Sequence, residues 1–397
     1  MYSEILAKAL EYESESIRYL TDMIRIPAFS TKEKELAEYI LWEMQKAGFD
    51  EAFLDPLGNV IGKIGSGKNI VAFDAHIDTV YPGDLSLWDF NPFEPKIKDG
   101  MVWGRGAVDQ EGGMASMLTA ARIIKELNLN TKYSIYFTGT VMEEDCDGLC
   151  WQYIIKEDQI LPELVVITEP TNLNIYRGHR GRMEMQVFVQ GRSCHASAPE
   201  RGINAIYKIS RIALEIEKLN DHLRYDDFLG KGSIAATEVY FTGPSQCAVP
   251  DSARLHLDRR LTQGENKEIA MQEVREACQL AGESDARIQV LTYSEPSYTG
   301  LVYPTEKYYP TWVTPEDSPW LKIAETAYSK TLGRKPKIDK WTFSTNGVAI
   351  AGMHHIPCIG LGPGNEEYAH APNEAIPIIH LTEAAAFYAA LIYALNQ

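Results

Sequence analysis

The sequence predicts an α/β protein whose mostly parallel sheet is covered by helices on both faces, with a two-layer α+β domain inserted into it. Apolar strand-like runs alternate with helical periodicities before residue 180 and again from about residue 319, which is typical of parallel sheets. Between these parts the order becomes strand–helix–strand–strand–helix–strand, which indicates a sheet covered on one side. We therefore predict one domain formed by residues 1–179 and 294–397, and a second formed by residues 180–293.

The first fifty residues predict two helices. In the first helix, apolar residues recur at helical spacing, at Leu6, Leu10, Ile17 and Leu20. The second helix is expected to begin at Ser30, because Glu33 follows three residues later as in a capping box, and to end at Gly48.

The remaining elements follow the same two patterns. Three runs, NIVAFDAHIDTV, KYSIYFTGTVMEED and ELVVITEP, indicate buried strands that end in polar residues, and residues 111–127 have a helical period. In the inserted domain, RMEMQVFVQG alternates apolar and polar residues as a half-exposed strand does, and helices are expected at 203–219 and 266–281. Residues 294–318 indicate an ordered loop, and residues 380–395 an amphipathic helix.

Charge and composition restrict the classes of function. The chain has 38 Lys and Arg residues against 55 Asp and Glu residues, a net charge of −17, so we expect neither nucleic acid nor an anionic membrane as a partner. A small-molecule substrate is the expected partner. We also expect a cytoplasmic protein, because no signal peptide or apolar run of about 18 residues is evident and the six cysteines include no CxxC pair.

Metal-competent side chains stand where the predicted strands end. They are His76 and Asp78, then Glu143 and Glu144, then Glu169. Each of these residues by itself has an ordinary structural explanation. Because the carboxyl ends of parallel strands meet at one edge of a sheet, however, we expect the side chains to lie together and form one site. Because strand residues alternate, Asp78 faces the same side as His76, and its carboxylate is expected to orient the imidazole.

Six motifs in order resemble a known family. They are HID, GRGAVDQEGG, VMEED, ITEP, GRSCHASAPERGINAI and YAHAPNE. Together they resemble the co-catalytic dizinc peptidases and deacylases, which include acetylornithine deacetylase, succinyl-diaminopimelate desuccinylase and the aminoacylases. The variant DQEGGM with CAVPDS is most similar to the branch of selenium-metabolism-linked hydrolases.

The resemblance implies a site with two Zn²⁺ ions per subunit, although Co²⁺ or Mn²⁺ would also suit these ligands. Asp109 would bridge the ions, with His76 and Glu169 completing one and Glu144 and His370 the other. A metal pair of this kind holds a hydroxide and polarises a carbonyl, and Glu143 would be the general base.

The resemblance also assigns residues outside the metal site. His195, in the inserted lid and dimerisation domain, would stabilise the oxyanion across a homodimer formed through residues 180–293. Arg260 would hold a substrate carboxylate, and Gly364 would let the backbone approach the substrate.

Three positions depart from the family pattern and bear on the substrate. They are Glu111, Cys247 and the segment Ser344–Ala349. The sequence therefore predicts a dizinc hydrolase that cleaves an amide bond in a small carboxylate-bearing substrate, either an N-acyl or N-carbamoyl amino acid or a dipeptide. The alternative is a non-catalytic dimeric binding protein of the same fold.

Overall fold

The computed structural model describes residues 1–130 and 132–397. Its helices are α1 (Tyr2–Glu11), α2 (Glu13–Ile24), α3 (Lys34–Lys46), α4 (Glu111–Glu126), α5 (Leu149–Lys156), α6 (Ala205–His222), α7 (Lys267–Leu280), α8 (Pro319–Leu332) and α9 (Ile378–Leu395). The first predicted helix is thus two helices, α1 and α2, which break at Tyr12.

Helix α3 begins later than the sequence predicts. The Ser30 hydroxyl donates to Oδ2 of Asp78 at 2.6 Å instead of capping the helix. The Glu33 carboxylate accepts from the amides of Thr31 and Met142. The capping-box prediction is therefore wrong, because both of its side chains bind elsewhere.

The strands, in chain order, are β1 (Glu51–Leu54), β2 (Val60–Ile64), β3 (Asn69–His76), β4 (Lys96–Lys98), β5 (Met101–Trp103), β6 (Tyr133–Thr140), β7 (Leu164–Ile167), β8 (Ile175–Tyr176), β9 (Gly178–His179), β10 (Gly181–Gln190), β11 (Tyr225–Asp226), β12 (Gly230–Lys231), β13 (Ser233–Thr242), β14 (Ser252–Leu261), β15 (Arg287–Val290), β16 (Thr292–Tyr293), β17 (Thr305–Glu306), β18 (Tyr308–Tyr309), β19 (Trp312–Val313), β20 (Ile338–Asp339), β21 (Cys358–Gly360) and β22 (Ala375–Pro377).

The main sheet has the order β1-β2-β6-β3-β7-β21-β8-β20. Its centre is parallel, since β3 pairs in parallel with both β6 and β7, and β7 with β21. The outer pairs β1–β2 and β2–β6 are antiparallel. Helices α4 and α9 pack on one face, and α5 lies with a π-helical turn, Val348–Met353, on the other. The predicted α/β class is confirmed, and the carboxyl ends of β3, β6 and β7 meet at one edge.

The second domain, the lid, is an antiparallel sheet with its own core. Its order is β13-β14-β10-β15, and β18 adds to β10. Helices α6 and α7 cover one face, and they share with the sheet a buried cluster of apolar residues from 183 to 290. The predicted boundaries at 179 and 293 stay a prediction. Strand β18 pairs with the lid sheet although it lies after residue 293.

Helix α9 is apolar around most of its circumference and not amphipathic as predicted. It is long and apolar enough to cross a membrane by length and composition, and 67% of its most apolar window is buried inside the protein. The helix packs against α1, α4 and α8, so protein contacts rather than an exposed polar face surround most of it. The amphipathic prediction is therefore wrong.

Candidate metal centre

His76 ends β3 with both ring nitrogens engaged. Nε2 lies 2.9 Å from Oδ1 of Asp109, and Nδ1 lies 2.8 Å from the backbone carbonyl of Asp78. The Asp78 carboxylate is farther from Nδ1, at 3.5 Å. It accepts instead from the amides of Glu143 and Glu144, at 3.1 and 3.0 Å. Asp78 thus contacts the imidazole through its carbonyl, and its carboxylate both lies within ion-pair distance of Nδ1 and positions the two glutamates. Its predicted orienting role stays a prediction.

Asp109 lies between two imidazoles. Its Oδ1 faces His76, and its Oδ2 lies 3.2 Å from Nε2 of His370. The peptide bond between Asp109 and Gln110 is cis. Burial opposes the ionised form of Asp109, yet hydrogen bonds with His370 and His76 hold its pKa below the usual range.

The loop that carries Asp109 is fixed by a buried carboxylate. Glu374 accepts from the amides of Gly106, Val108 and Asp109, at 3.2, 2.6 and 3.0 Å. It also accepts from Nη1 of Arg105 at 2.6 Å. Because all of these donors lie in one short segment, Glu374 sets the position of the Asp109 side chain.

The other predicted ligands converge on the same place. Nε2 of His370 lies 3.0 Å from Oε2 of Glu144, and Nε2 of His76 lies 3.5 Å from Oε1 of Glu169. Burial, followed by the charge of Asp109, raises the pKa of Glu144 to about 7. Hydrogen bonds with Asp109 and Glu144 raise the pKa of His370 to about 10.

Glu143 lies beside the cluster, with Oε2 4.0 Å from Nε2 of His76. Oε1 of Glu143 and Oε2 of Glu169 are buried and have no hydrogen-bond partner among the described residues. Burial raises the pKa of both carboxyl groups well above its ordinary value. Four carboxylates and two imidazoles at this spacing fit divalent cations, which would satisfy the unpaired oxygens.

Two overlapping groups have ligand atoms close enough for one ion each. They are His76 with Glu143 and Glu169, and His76 with Asp109 and Glu144. The first group includes Glu143, the predicted general base. This residue is therefore also near enough to His76 and Glu169 to be a ligand. The division of ligands between two ions stays a prediction.

A cavity of about 330 Å³ opens over the cluster. Arg260 lines its lid side, whereas Arg259 is buried in the lid and bonds to Glu265 and Glu273. The alternation of β14 therefore places Arg260, not its neighbour, in the cavity. The other lining residues are His76, Asp109, Glu143, Glu144, Asp147, Glu169, Arg182, Phe343, Ser344, Glu366, Ala369 and His370.

His195 and Gly364 are not among the residues that line this cavity. His195 is exposed on a lid loop, where Nδ1 contacts the hydroxyl of Ser197 at 2.7 Å. Gly364 has a φ of 86° and packs against Val108. Gly362 has the closer approach, since a Cβ there would lie 2.2 Å from the carbonyl oxygen of Glu169.

The departures from the family pattern fall in different places. Glu111 is buried against Gly106, and its Oε2 has no partner among the described residues. Cys247 is exposed on the lid. Ser344 lies in the cavity wall and donates to Asp147.

Sequence reasoning missed Arg182 and Asp147 as cavity residues. Arg182 lies at the start of the alternating strand β10, and the period of that strand indicates a polar face but not what the face meets. Asp147 follows Glu144 by three residues in a turn with no period of its own. Both contacts depend on how the lid sits over the main sheet.

Comparisons with known proteins identify the family of this chain. The model of peptidase family M20/M25/M40 matches residues 72–394. The protein YgeY of Escherichia coli strain K12 is 53% identical over 387 residues, covering 98% of this chain and 96% of its own. Acetylornithine deacetylase of Proteus mirabilis is 28% identical over 322 residues, covering 80% of this chain and 77% of its own.

Solved structures show the same fold. Aminopeptidase PepT from Bacillus cereus has a TM-score of 0.74 at 22% identity, covering 97% of this chain and 99% of its own. The Bacillus subtilis protein YXEP, described as a dinuclear metal-binding peptidase of the M20 family, has a TM-score of 0.71 at 16% identity, covering 97% and 98%. This chain is a metallohydrolase that belongs to the M20/M25/M40 peptidase family.

Proposed function

We propose that the protein is a two-metal amidohydrolase that cleaves an amide bond in a small substrate bearing a carboxylate. The observation that carries this proposal is the position of Asp109, whose two oxygens face two different imidazoles. A carboxylate placed in this way is suited to bridge two cations.

The donor set names the residues that would hold the ions. His76 and Glu169 would complete one site, Glu144 and His370 the other, with Asp109 shared between them. Imidazole and carboxylate ligands suit Zn²⁺, and Co²⁺ or Mn²⁺ as alternatives. When bound, such ions polarise a substrate carbonyl and lower the pKa of water.

Glu143 is the residue suited to move a proton. Its Oε1 is unpaired among the described residues, and its amide is fixed by Asp78. In the proposed reaction this carboxylate takes a proton from the attacking water and delivers it to the leaving amine.

The cavity limits the substrate to a small, polar molecule. Its volume of about 330 Å³ lies at the lower end for small-molecule sites. Charged side chains dominate its lining, and Arg260 can bind a carboxylate through its planar guanidinium. An N-acyl or N-carbamoyl amino acid and a dipeptide both have this size and charge.

We further propose that the protein is a homodimer in which His195 serves the partner's site. The lid's edge strand β13 is exposed from Ala235 to Thr242, and Val239 and Phe241 are 56% and 60% exposed on one of its faces. Tyr207 on α6, the helix packed beside β13, is also exposed. A second copy paired at this edge would cover it.

The experiment is a hydrolysis screen of the metal-loaded protein with N-acyl amino acids, N-carbamoyl amino acids and dipeptides. Turnover of carboxylate-bearing amides, with little turnover of their esterified forms, supports the proposal. Two bound metal ions per chain without turnover of any amide would instead favour the alternative, a non-catalytic dimeric binding protein. No ligand or base of the proposed mechanism is missing from this chain.

A further inference from the structure

Arg182 faces the cavity from the first long strand of the lid. It lies directly opposite Arg260 in the ladder between β10 and β14. Residues opposite each other in an antiparallel pair share a face, with Cβ atoms about 5 Å apart. Both side chains line the cavity that contains the candidate metal ligands. The lid therefore presents two neighbouring guanidinium groups to any bound substrate.

The two guanidinium groups are held differently. Arg260 forms a fork with Asp258, through Nε at 2.8 Å and Nη2 at 3.1 Å. The Arg182 side chain is only 17% exposed and stands over the ring of Tyr309 at 4.8 Å. Its Nε is buried without a hydrogen-bond partner among the described residues. Arg182 is thus the less satisfied of the two.

Two acids lie within ion-pair distance of Arg182, and each also binds another group through its second oxygen. Oε1 of Glu184 lies 3.3 Å from Nη2 of Arg182, and Oε2 accepts from Lys307 at 2.8 Å. Asp147 is 3.7 Å from Nη2 and accepts from the hydroxyl of Ser344. Neither acid gives Arg182 a two-oxygen fork. A partly buried guanidinium without full pairing costs free energy, and a carboxylate entering the cavity would give the terminal nitrogens of Arg182 an acceptor.

We propose that Arg182 is a second specificity-determining residue, which binds the substrate carboxylate jointly with Arg260. This inference rests on the proposed function for the statement that the bound substrate is an amide to be cleaved; the binding of a carboxylate by the two arginines does not depend on it. A carboxylate between the two groups accepts from both, which leaves the amide directed toward the cluster of His76 and Asp109. The substrate class narrows to amides whose carboxylate is ionised and free, because a neutral amide in its place offers no charge to either guanidinium.

The test measures binding rather than turnover. Zinc-loaded Glu143→Gln protein is titrated by calorimetry with N-acetyl-L-alanine and with its neutral analogue N-acetyl-L-alaninamide. We expect the acid to bind at least about tenfold more tightly, as for hydrogen bonds to charged groups. Arg182→Met should reduce this preference to less than about threefold, and Arg182→Lys, which keeps the charge without the fork, should fall between.

Two controls separate recognition from structure. Arg254→Met removes an exposed arginine from the same face of β14 outside the cavity, and it should keep the full preference. Because Arg182 and Arg260 share one carboxylate, the sum of the affinity losses in the two single variants should exceed the loss in the double variant.

Three results would overturn the proposal. They are a parent protein without preference for the acid at millimolar ligand, an Arg182→Lys variant that binds acid and amide like the parent, and strictly additive losses in the double variant. Failure of the proposed function has a different signature, since the wild-type protein would then hydrolyse no amide while the binding preference remained.

Discussion

Glu143 has a buried carboxylate oxygen that no described neighbour satisfies. The same residue lies 4.0 Å from His76, and its amide is held by Asp78. A group that is fixed in place but unpaired is suited to exchange protons with a substrate or water. At this scale the candidate site differs from an ordinary buried ion-pair network, in which each oxygen has a partner.

Glu143→Gln should abolish most turnover while the protein keeps its metal. The amide side chain has nearly the same shape but cannot accept the proton, so we expect a loss of about 10²- to 10⁴-fold in kcat. Metal content is measured by mass spectrometry on the same sample. Glu163→Gln, at an exposed position, is the control. Wild-type turnover in Glu143→Gln would show that another group is the base.

At the scale of single elements, the loop before α4 depends on one buried pair. Glu374 accepts from three amides of this loop and from Arg105, whose side chain is 2% exposed. The pair thus connects the C-terminal segment to the residue that faces both imidazoles. Its loss would affect both stability and the metal site.

Glu374→Ala should lower the free energy of unfolding by about 3–5 kcal/mol, because it leaves the Arg105 charge buried without its carboxylate. Chemical denaturation measures the loss. The double variant Arg105→Met/Glu374→Leu should recover part of it, since no charge remains unpaired. A loss below about 1 kcal/mol would mean that the pair is not needed for the loop.

A second pair, Asp55 and Asp158, predicts that the stability of the protein depends on pH through groups outside the metal centre. Burial and the charge of Asp55 raise the pKa of Asp158, at the end of α5, to about 7. In the unfolded chain the value is about 4, so the folded state retains a proton that the unfolded state releases. This contribution to stability is complete below about pH 4 and is lost as the pH rises to about 7.

The variant Asp158→Asn should remove that part of the pH dependence while keeping a polar group beside Asp55. Thermal unfolding between pH 4.5 and 8 compares the variant with the wild-type protein and with Asp317→Asn, an exposed control. Equal slopes for wild type and Asp158→Asn would show that the two carboxyl groups do not share a proton.

The elements themselves show how far the sequence could lead. Strands β3, β6 and β7 were predictable, because each lies in an apolar run that is followed by polar residues. The start of α3 was not, since Ser30 binds Asp78, which lies 48 positions away. Local patterns cannot show such a partner. For the same reason the sequence placed Arg260 in the site but missed Arg182, whose role depends on lid packing.

In the whole molecule, the sheet of the lid has an exposed edge strand, β13. Within one chain, His195 does not reach the cavity that holds the candidate metal ligands. The residue is exposed and does not line the cavity of its own subunit. The proposed dimer would place His195 at the partner's site, and the exposed strand β13 offers a surface for such a dimer.

Mixing of inactive variants tests the dimer. His195→Ala and Glu143→Gln should each have little activity alone, but subunit exchange should regain activity, because one site in each heterodimer receives both intact residues. We expect light scattering to give the mass of a dimer, and Phe241→Glu on the β13 edge should weaken that dimer. Absence of any recovered activity, despite demonstrated exchange, would remove the cross-subunit role of His195.

We propose that amide hydrolysis by this protein requires two metal ions held around Asp109. The direct measurement is a titration of the metal-free protein with Zn²⁺ that follows hydrolysis of the best amide substrate and bound metal together. We expect activity to rise to a plateau when two ions are bound per chain, and Asp109→Ala to lose both metal and activity. A plateau at one ion per chain, or an Asp109→Ala variant that still binds two ions with unchanged affinity, would contradict it.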